Sequence, residues 1–203
     1  MEDETKHRVV VATNNPGKLL EIRTALAFTG WEFVTAQDLG ADPLHVEEDG
    51  ETFTDNALIK AYAYRDAFRM PALADDSGLV VDTLKGDPGV RTSRYAGEAA
   101  TDSANNAKLL AELASADGND RNARFSCAVV YVDEHGMPTV AYGLCRGQIA
   151  KTPRGARGFG YDPIFLPDAT PGRSMAELGT DEKNLISPRG NALRALREEI
   201  AGS

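Results

Sequence analysis

The sequence predicts a mixed α/β protein forming one domain over 1–203, and three features carry that prediction. A β-branched run, Arg8 to Thr13, ends in the turn formers Asn14, Asn15, Pro16 and Gly17. Apolar residues recur at helical spacing in several separate segments, some with a start signal of their own. Two strand-like runs, Arg124 to Val132 and Thr139 to Ile149, flank the turn-forming stretch Glu134 to Pro138, which makes them a hairpin.

The first strand leads through its loop into a helix carrying Leu19, Ile22 and Leu26, with Gly30 beyond the end as a stop signal. Trp31 to Thr35 follows as a second strand. After an acidic loop, Phe53, Ala57, Ala61, Tyr64 and Phe68 share one helical face behind Thr52, whose hydroxyl suits an N-cap. Ala72 to Ala74 and Leu79 to Val81 read as two short strands, which would set Asp75, Asp76, Ser77 and Gly78 at a bend between them. Thr101 can cap a further helix bearing Leu109, Leu110 and Leu113. Ser187 followed by Pro188 starts the last helix, because proline already has the φ of a first helical position and the N–H it lacks would have no partner there. Leu193, Leu196 and Ile200 supply that helix with its apolar stripe.

A hydrophobic content of 42% over 203 residues suffices for one sizeable core, or for two lobes sharing one. No run approaches the ~18 apolar residues of a membrane span, and the charged start, Met1 to Arg8, lacks an apolar signal core, so a soluble cytoplasmic protein is expected. The net charge of −9 argues against binding nucleic acid or an anionic membrane, since both need a broad basic surface. It leaves room for a small anionic ligand where positive groups converge locally and a cation neutralises part of the charge. Cys127 and Cys145 sit in strand-like runs and read as buried thiols rather than as a redox pair or metal site.

Four groups of residues carry candidate chemistry. Thr13, Asn15, Gly17 and Lys18 bring a hydroxyl, an amide, backbone donors and an ammonium to the start of a helix, a corner suited to phosphate, although alone the segment reads first as an ordinary capped turn. It is not a Walker loop, because the first glycine is missing and Leu19 follows the lysine. Glu47, Glu48 and Asp49, with Asp75 and Asp76, offer the oxygen donors that magnesium takes. Acidic runs are usually solvated surface, and that fits Glu47 to Asp49; Asp75 and Asp76 instead interrupt an apolar context. The run Pro153 to Pro163 has glycines that permit close backbone approach, and its Phe159 and Tyr161 serve equally as faces for a base or as plugs for the core. Lys183 to Arg189 joins a short helical patch to the last helix, and its basic residues read alone as solvated.

In order and spacing these segments resemble the Ham1-like noncanonical purine nucleoside-triphosphate pyrophosphatases, also called inosine triphosphate pyrophosphatases, over nearly the whole chain. The resemblance rests on the Thr13, Asn15, Lys18 loop, on Glu48 with Gly50, Thr52, Phe53, Asn56, Ala57 and Lys60, and on Leu73 to Gly78. It continues through Pro88, Gly89 and Arg94 to Gly97, Gly158 to Pro163, and Glu182, Lys183, Ser187, Arg189 and Gly190. The resemblance implies an elongated two-lobed fold with a curved mixed β-sheet flanked by helices, a central nucleotide-binding cleft and a homodimer. It also implies that Thr13, Asn14, Asn15, Pro16, Gly17 and Lys18 hold the phosphates with Lys60 and Ser77 assisting. Phe159, Gly160, Tyr161, Asp162, Lys183, Pro188 and Arg189 would then shape the base site, with Asp76 as general base and Glu48 near the metal. The chain departs from the family pattern at Asn14, where a glycine is common, and at Pro188, where a histidine usually precedes the arginine. Asparagine tolerates unusual dihedrals better than most residues, whereas proline brings no replacement for an imidazole hydrogen bond.

The expected reaction is hydrolysis of ITP, dITP or XTP to the monophosphate and pyrophosphate. Glu48 and Asp76 would hold Mg2+, and Asp75 would support its neighbour. Other readings are a pyrophosphatase of similar architecture acting on modified pyrimidine nucleotides and a non-catalytic nucleotide sensor.

Overall fold

Three consecutive valines, Val9 to Val11, are fully buried, as happens in a strand covered on both faces. That strand, β1 (His7–Val11), pairs in parallel with β2 (Trp31–Val34) on one side and with β3 (Ala72–Val81) on the other. In the computed structural model, which describes residues 6–202, the sheet continues through β4 (Asn122–Val132) and β5 (Pro138–Ile149) to β6 (Phe165–Pro167). Its order is β2-β1-β3-β4-β5-β6, and the β5–β6 pair is antiparallel, so the architecture is the mixed α/β one that the sequence predicts. Residues 1–5 of the charged start lie outside the described residues.

The described residues form five α-helices, three of which start at the signals read from sequence, Thr52, Thr101 and Pro188. Helix α1 (Pro16–Ala25) has proline in its first turn and Asn15 as N-cap. Helix α2 (Phe53–Phe68) starts in a capping box: Asp55 N donates to Thr52 Oγ1 (3.1 Å), and Thr52 N donates to Asp55 Oδ2 (3.0 Å). Thr101 caps α3 (Asp102–Glu112) through Ala104 N. The short α4 (Thr180–Ile186) is followed at once by α5 (Pro188–Ala201). Among the described residues no helix is long and apolar enough to cross a membrane.

The chain divides into two compact units. The first holds residues up to Asp76, Cys127–Gly143 and Arg189 onward; the second holds Ser77–Ser126 and Leu144–Pro188. Alternation along the strands sorts the first unit's core into layers. Val9, Val11, Leu73, Cys127 and Val129 pack with Ile22 and Leu26 of the α1 segment and with Leu193 and Leu196 of α5. Ala74, Val130 and Val132 pack with Ala57 and Ala61 of α2. The second unit is centred on Leu79, Val81, Leu109, Leu113, Ile149, Ile164 and Phe165. Each such large side chain, fully buried, contributes about 1.5–3 kcal/mol. Both cysteines are free and buried, as expected.

One local expectation is corrected. Ala72 to Val81 is a single uninterrupted strand, so Asp75 to Gly78 occupy consecutive positions within β3 and not a bend. The polar residues weaken the apolar signal, but the backbone hydrogen bonds of a strand are indifferent to side-chain polarity.

Candidate active site

Successive side chains of a strand point to opposite faces, and on β3 this separates two adjacent carboxylates. Asp75 lies on the face of Leu73, toward α1 and α5, whereas Asp76 lies on the face of Ala74, toward α2.

Asp75 is 3% exposed and fully engaged. Lys18 Nζ donates to Oδ1 (3.2 Å) and Oδ2 (3.0 Å), and Arg189 Nε donates to Oδ2 (3.0 Å). Arg189 Nη1 also donates to Glu21 Oε2 (3.0 Å), so α1, β3 and α5 are tied by one ionic network. Burial by itself would raise the Asp75 carboxyl; the charges of Lys18 and Arg189, with Lys60 beyond them, outweigh it and hold the group well below the usual carboxylate range. Burial likewise opposes the Arg189 charge, and Asp75 more than offsets it.

Asp76 stands among groups from α2 and the acidic loop. Asn56, 1% exposed, donates from Nδ2 to Asp76 Oδ2 (3.1 Å) and accepts at Oδ1 from Gly50 N (2.8 Å). Lys60 Nζ lies 2.9 Å from Glu48 Oε2 and 3.8 Å from Asp76 Oδ1. Of the acidic run, Glu47 and Asp49 are exposed, as a solvated segment would be, while Glu48 is half-buried and turned to Lys60. Gly50 makes this approach possible, since a Cβ there would lie 2.6 Å from Asp55 Cβ and 2.9 Å from Asn56 N. Two carboxylate oxygens thus face the Lys60 ammonium, one from the acidic loop and one from β3. The donors are all oxygen, which fits magnesium. No group of three or more His, Cys, Asp or Glu suited to a metal occurs among the described residues, so waters and substrate oxygens would complete its shell.

The Thr13 to Lys18 corner is ordered by its own polar groups. Asn15 N donates to Thr13 Oγ1 (3.1 Å), and Asn15 Oδ1 accepts from Gly17 N (2.8 Å) and Lys18 N (3.3 Å). The segment is thus a capped turn, in which the Asn15 side chain takes the Gly17 and Lys18 N–H groups and the Lys18 ammonium reaches Asp75 on β3. Asn14 and Pro16 are exposed.

The glycine-rich run belongs to the second unit, where its two aromatics part company. Tyr161 is buried in the core and its hydroxyl donates to Thr92 O (2.9 Å), whereas Phe159 is 65% exposed. Asp162, buried, accepts at Oδ2 from Phe159 N (2.9 Å) and from Lys183 Nζ. The Lys183 ammonium also lies over the Phe159 ring, 4.5 Å from its centroid. A Cβ on Gly158, whose φ is +78°, would overlap the Asp162 carboxylate, so only glycine admits this turn. An exposed aromatic face beside a carboxylate and an ammonium is suited to a flat, polar-edged ring.

Of the residues singled out from sequence, the fold gathers Glu48, Lys60 and Asp76 at one place, Lys18 and Arg189 on Asp75, and Phe159, Asp162 and Lys183 at a third. Arg189 lies in the first unit, buried against Asp75 and Glu21; half-buried Pro188 and Ser77 fall in the second. Sequence reasoning assigned no role to Asn56. Its signal was available, since it precedes Lys60 by one helical turn and so shares its face of α2.

The model of the Ham1 family matches residues 9–199 of the chain. The chain is 47% identical over 193 residues to the dITP/XTP pyrophosphatase of Geobacter sulfurreducens, covering 95% of this chain and 96% of the relative. It is 44% identical over 195 residues to the dITP/XTP pyrophosphatase of Escherichia coli K12, covering 95% and 98%. Among solved structures, a HAM1 protein from Coxiella burnetii superposes with a TM-score of 0.87 at 40% identity, covering 97% of this chain and 99% of the other.

Proposed function

The chain belongs to the Ham1 family, and on that premise we propose that it hydrolyses noncanonical purine nucleoside triphosphates, ITP, dITP and XTP, to the monophosphate and pyrophosphate, using magnesium. It is a nucleoside-triphosphate pyrophosphatase, as its near-full-length relatives are named. The observation that carries the mechanism is that Glu48 and Asp76 both face the Lys60 ammonium.

Glu48 and Asp76 would hold magnesium, whose chemistry there is to polarise the phosphate oxygens. Asp76 orients and deprotonates the water that attacks the α-phosphorus, and pyrophosphate leaves. Asn56 donates to one oxygen of Asp76, which fixes the direction in which the carboxylate presents the other. Lys18 and Lys60, with the Thr13 hydroxyl and Ser77, offset the charge of the triphosphate. An ammonium has three N–H donors, so each lysine retains capacity for phosphate beyond its carboxylate partners.

Base recognition is assigned to Phe159, Asp162 and Lys183. A donor facing a 6-keto oxygen accepts inosine or xanthine, but is left unpaired by the amino group of adenine, at a cost of about 1–3 kcal/mol. Pro188 contributes no donor to this choice. The protein acts as a cytoplasmic homodimer in this reading.

Pyrophosphate release from ITP in the presence of magnesium, and its loss on adding a chelator that excess magnesium reverses, is the expected result. No release would leave a nucleotide sensor as the better account. Equal kcat/KM for ITP and ATP would refute the base selectivity, and a panel including modified pyrimidine triphosphates separates the remaining alternative.

A further inference from the structure

Gly160 is gripped through both of its peptide groups by α3. Its N–H donates to Asp102 Oδ2 (2.6 Å), and its carbonyl accepts from Asn106 Nδ2 (3.1 Å). Asp102 and Asn106 are one helical turn apart and therefore share a face. A cavity of about 460 Å³ lies between this part of α3 and the loop, bordered by Asp102, Asn106, Leu110, Phe159 and Gly160. Asp162 holds Phe159 from within its own segment and Lys183 from α4, and the two hydrogen bonds to Gly160 tie that segment to α3 beside the cavity.

Asn106 is also an unfavourable residue for stability where it stands. It is 8% exposed, and its Oδ1 has no hydrogen-bond partner among the described residues. A buried acceptor left unpaired is a cost that leucine, of similar size, would avoid.

We propose that Asp102 and Asn106 are positioning residues for base selectivity, which hold Gly160 so that the Phe159 ring and the Asp162 carboxylate meet the nucleobase at a fixed spacing. The proposal rests on the reading that Phe159, Asp162 and Lys183 receive the base. Neither α3 residue touches the base; each acts through the loop.

The test measures kcat and KM for ITP and ATP, together with Tm, in Asn106→Leu, Asp102→Ala, Asp102→Asn and Phe159→Ala. Asn106→Leu and Asp102→Ala should each raise the KM for ITP about tenfold, with kcat within about twofold of wild type, and narrow the ITP-to-ATP ratio of kcat/KM. Asp102→Asn keeps an acceptor for Gly160 N–H and should stay near wild type. The Tm of Asn106→Leu should not fall. If Phe159→Ala narrows the ratio while Asn106→Leu and Asp102→Ala leave KM and ratio at wild-type values, α3 has no part in selectivity although the base site stands. A lower Tm with an unchanged ratio makes the two residues structural only and equally overturns the proposal. If Phe159→Ala leaves the ratio unchanged, the base is received elsewhere and both readings fall. Should Asn106→Leu fail to fold, the contrast between Asp102→Ala and Asp102→Asn decides the same question.

Discussion

At the scale of single residues, the adjacent carboxylates Asp75 and Asp76 differ because the pleat of β3 gives them different neighbours. Asp75 is closed in by Lys18 and Arg189, and removing its charge leaves two cations facing a neutral group in a buried place. A buried ion pair is weak grounds for net stability, but breaking one from a single side is costly. Asp75→Asn should therefore lower the unfolding free energy by about 3–5 kcal/mol, read from a urea denaturation midpoint. Asp76→Asn should instead leave the midpoint and circular dichroism near wild type and reduce kcat by about 10²- to 10⁴-fold, the range ascribed to a general base.

The two thiols give a pH dependence of definite sign. Burial pushes Cys145 up to about 11, with Asp168 adding to it, and pushes Cys127 up as well. A group whose folded pKa exceeds its unfolded value of about 8.5 stabilises the fold fully below that value and progressively less as pH rises toward the folded one. Stability should thus decline between about pH 8.5 and 11 from this source. Replacing both cysteines with alanine should flatten that decline in denaturation curves recorded across the window. Alkylation by iodoacetamide at pH 8 should be slow in the native protein and fast in urea.

At the scale of elements, the start of α2 combines helix capping with the site. Thr52 and Asp55 close the capping box, and Asn56, the next residue, reaches both Gly50 and Asp76. Thr52→Ala should cost about 1 kcal/mol and little activity. Gly50→Ala should cost activity as well, because its Cβ would lie 2.7 Å from Asn56 Oδ1 and push away the amide that orients Asp76. The overpacking should destabilise the fold by about 1–3 kcal/mol. Comparing kcat and urea midpoints of these two variants separates the cap from the clamp.

At the scale of the whole molecule, a chain of net charge −9 acting on a tetra-anion must neutralise charge locally, and the lysines that the proposed function assigns to phosphate and base are each held by a carboxylate. Lys18 has Asp75, Lys60 has Glu48 and Asp76, and Lys183 has Asp162. Such pairing keeps the ammonium groups aimed before substrate arrives, which lowers the reorganisation that binding requires. The homodimer in the proposed function makes a separate claim at this scale: sedimentation velocity at micromolar concentration should give twice the chain mass, and a monomer would refute it.

The sequence by itself determined the features that rest on neighbours within a few residues. Thr52, Thr101 and Pro188 start helices, as their residue types predict, the hairpin of β4 and β5 stands, and the ordered motifs identified the family. Capping and periodicity are local physics, legible without a fold. Only the tertiary structure decided that Ala72 to Val81 is one strand, because its continuity depends on pairing with strands distant in sequence. The same holds for Arg189, whose partner Asp75 lies 114 residues away, and for the contrast between Phe159, turned to solvent, and Tyr161, turned to the core. A residue's type states what it can bond; which bond it makes is set by the face and neighbours that the rest of the chain brings to it.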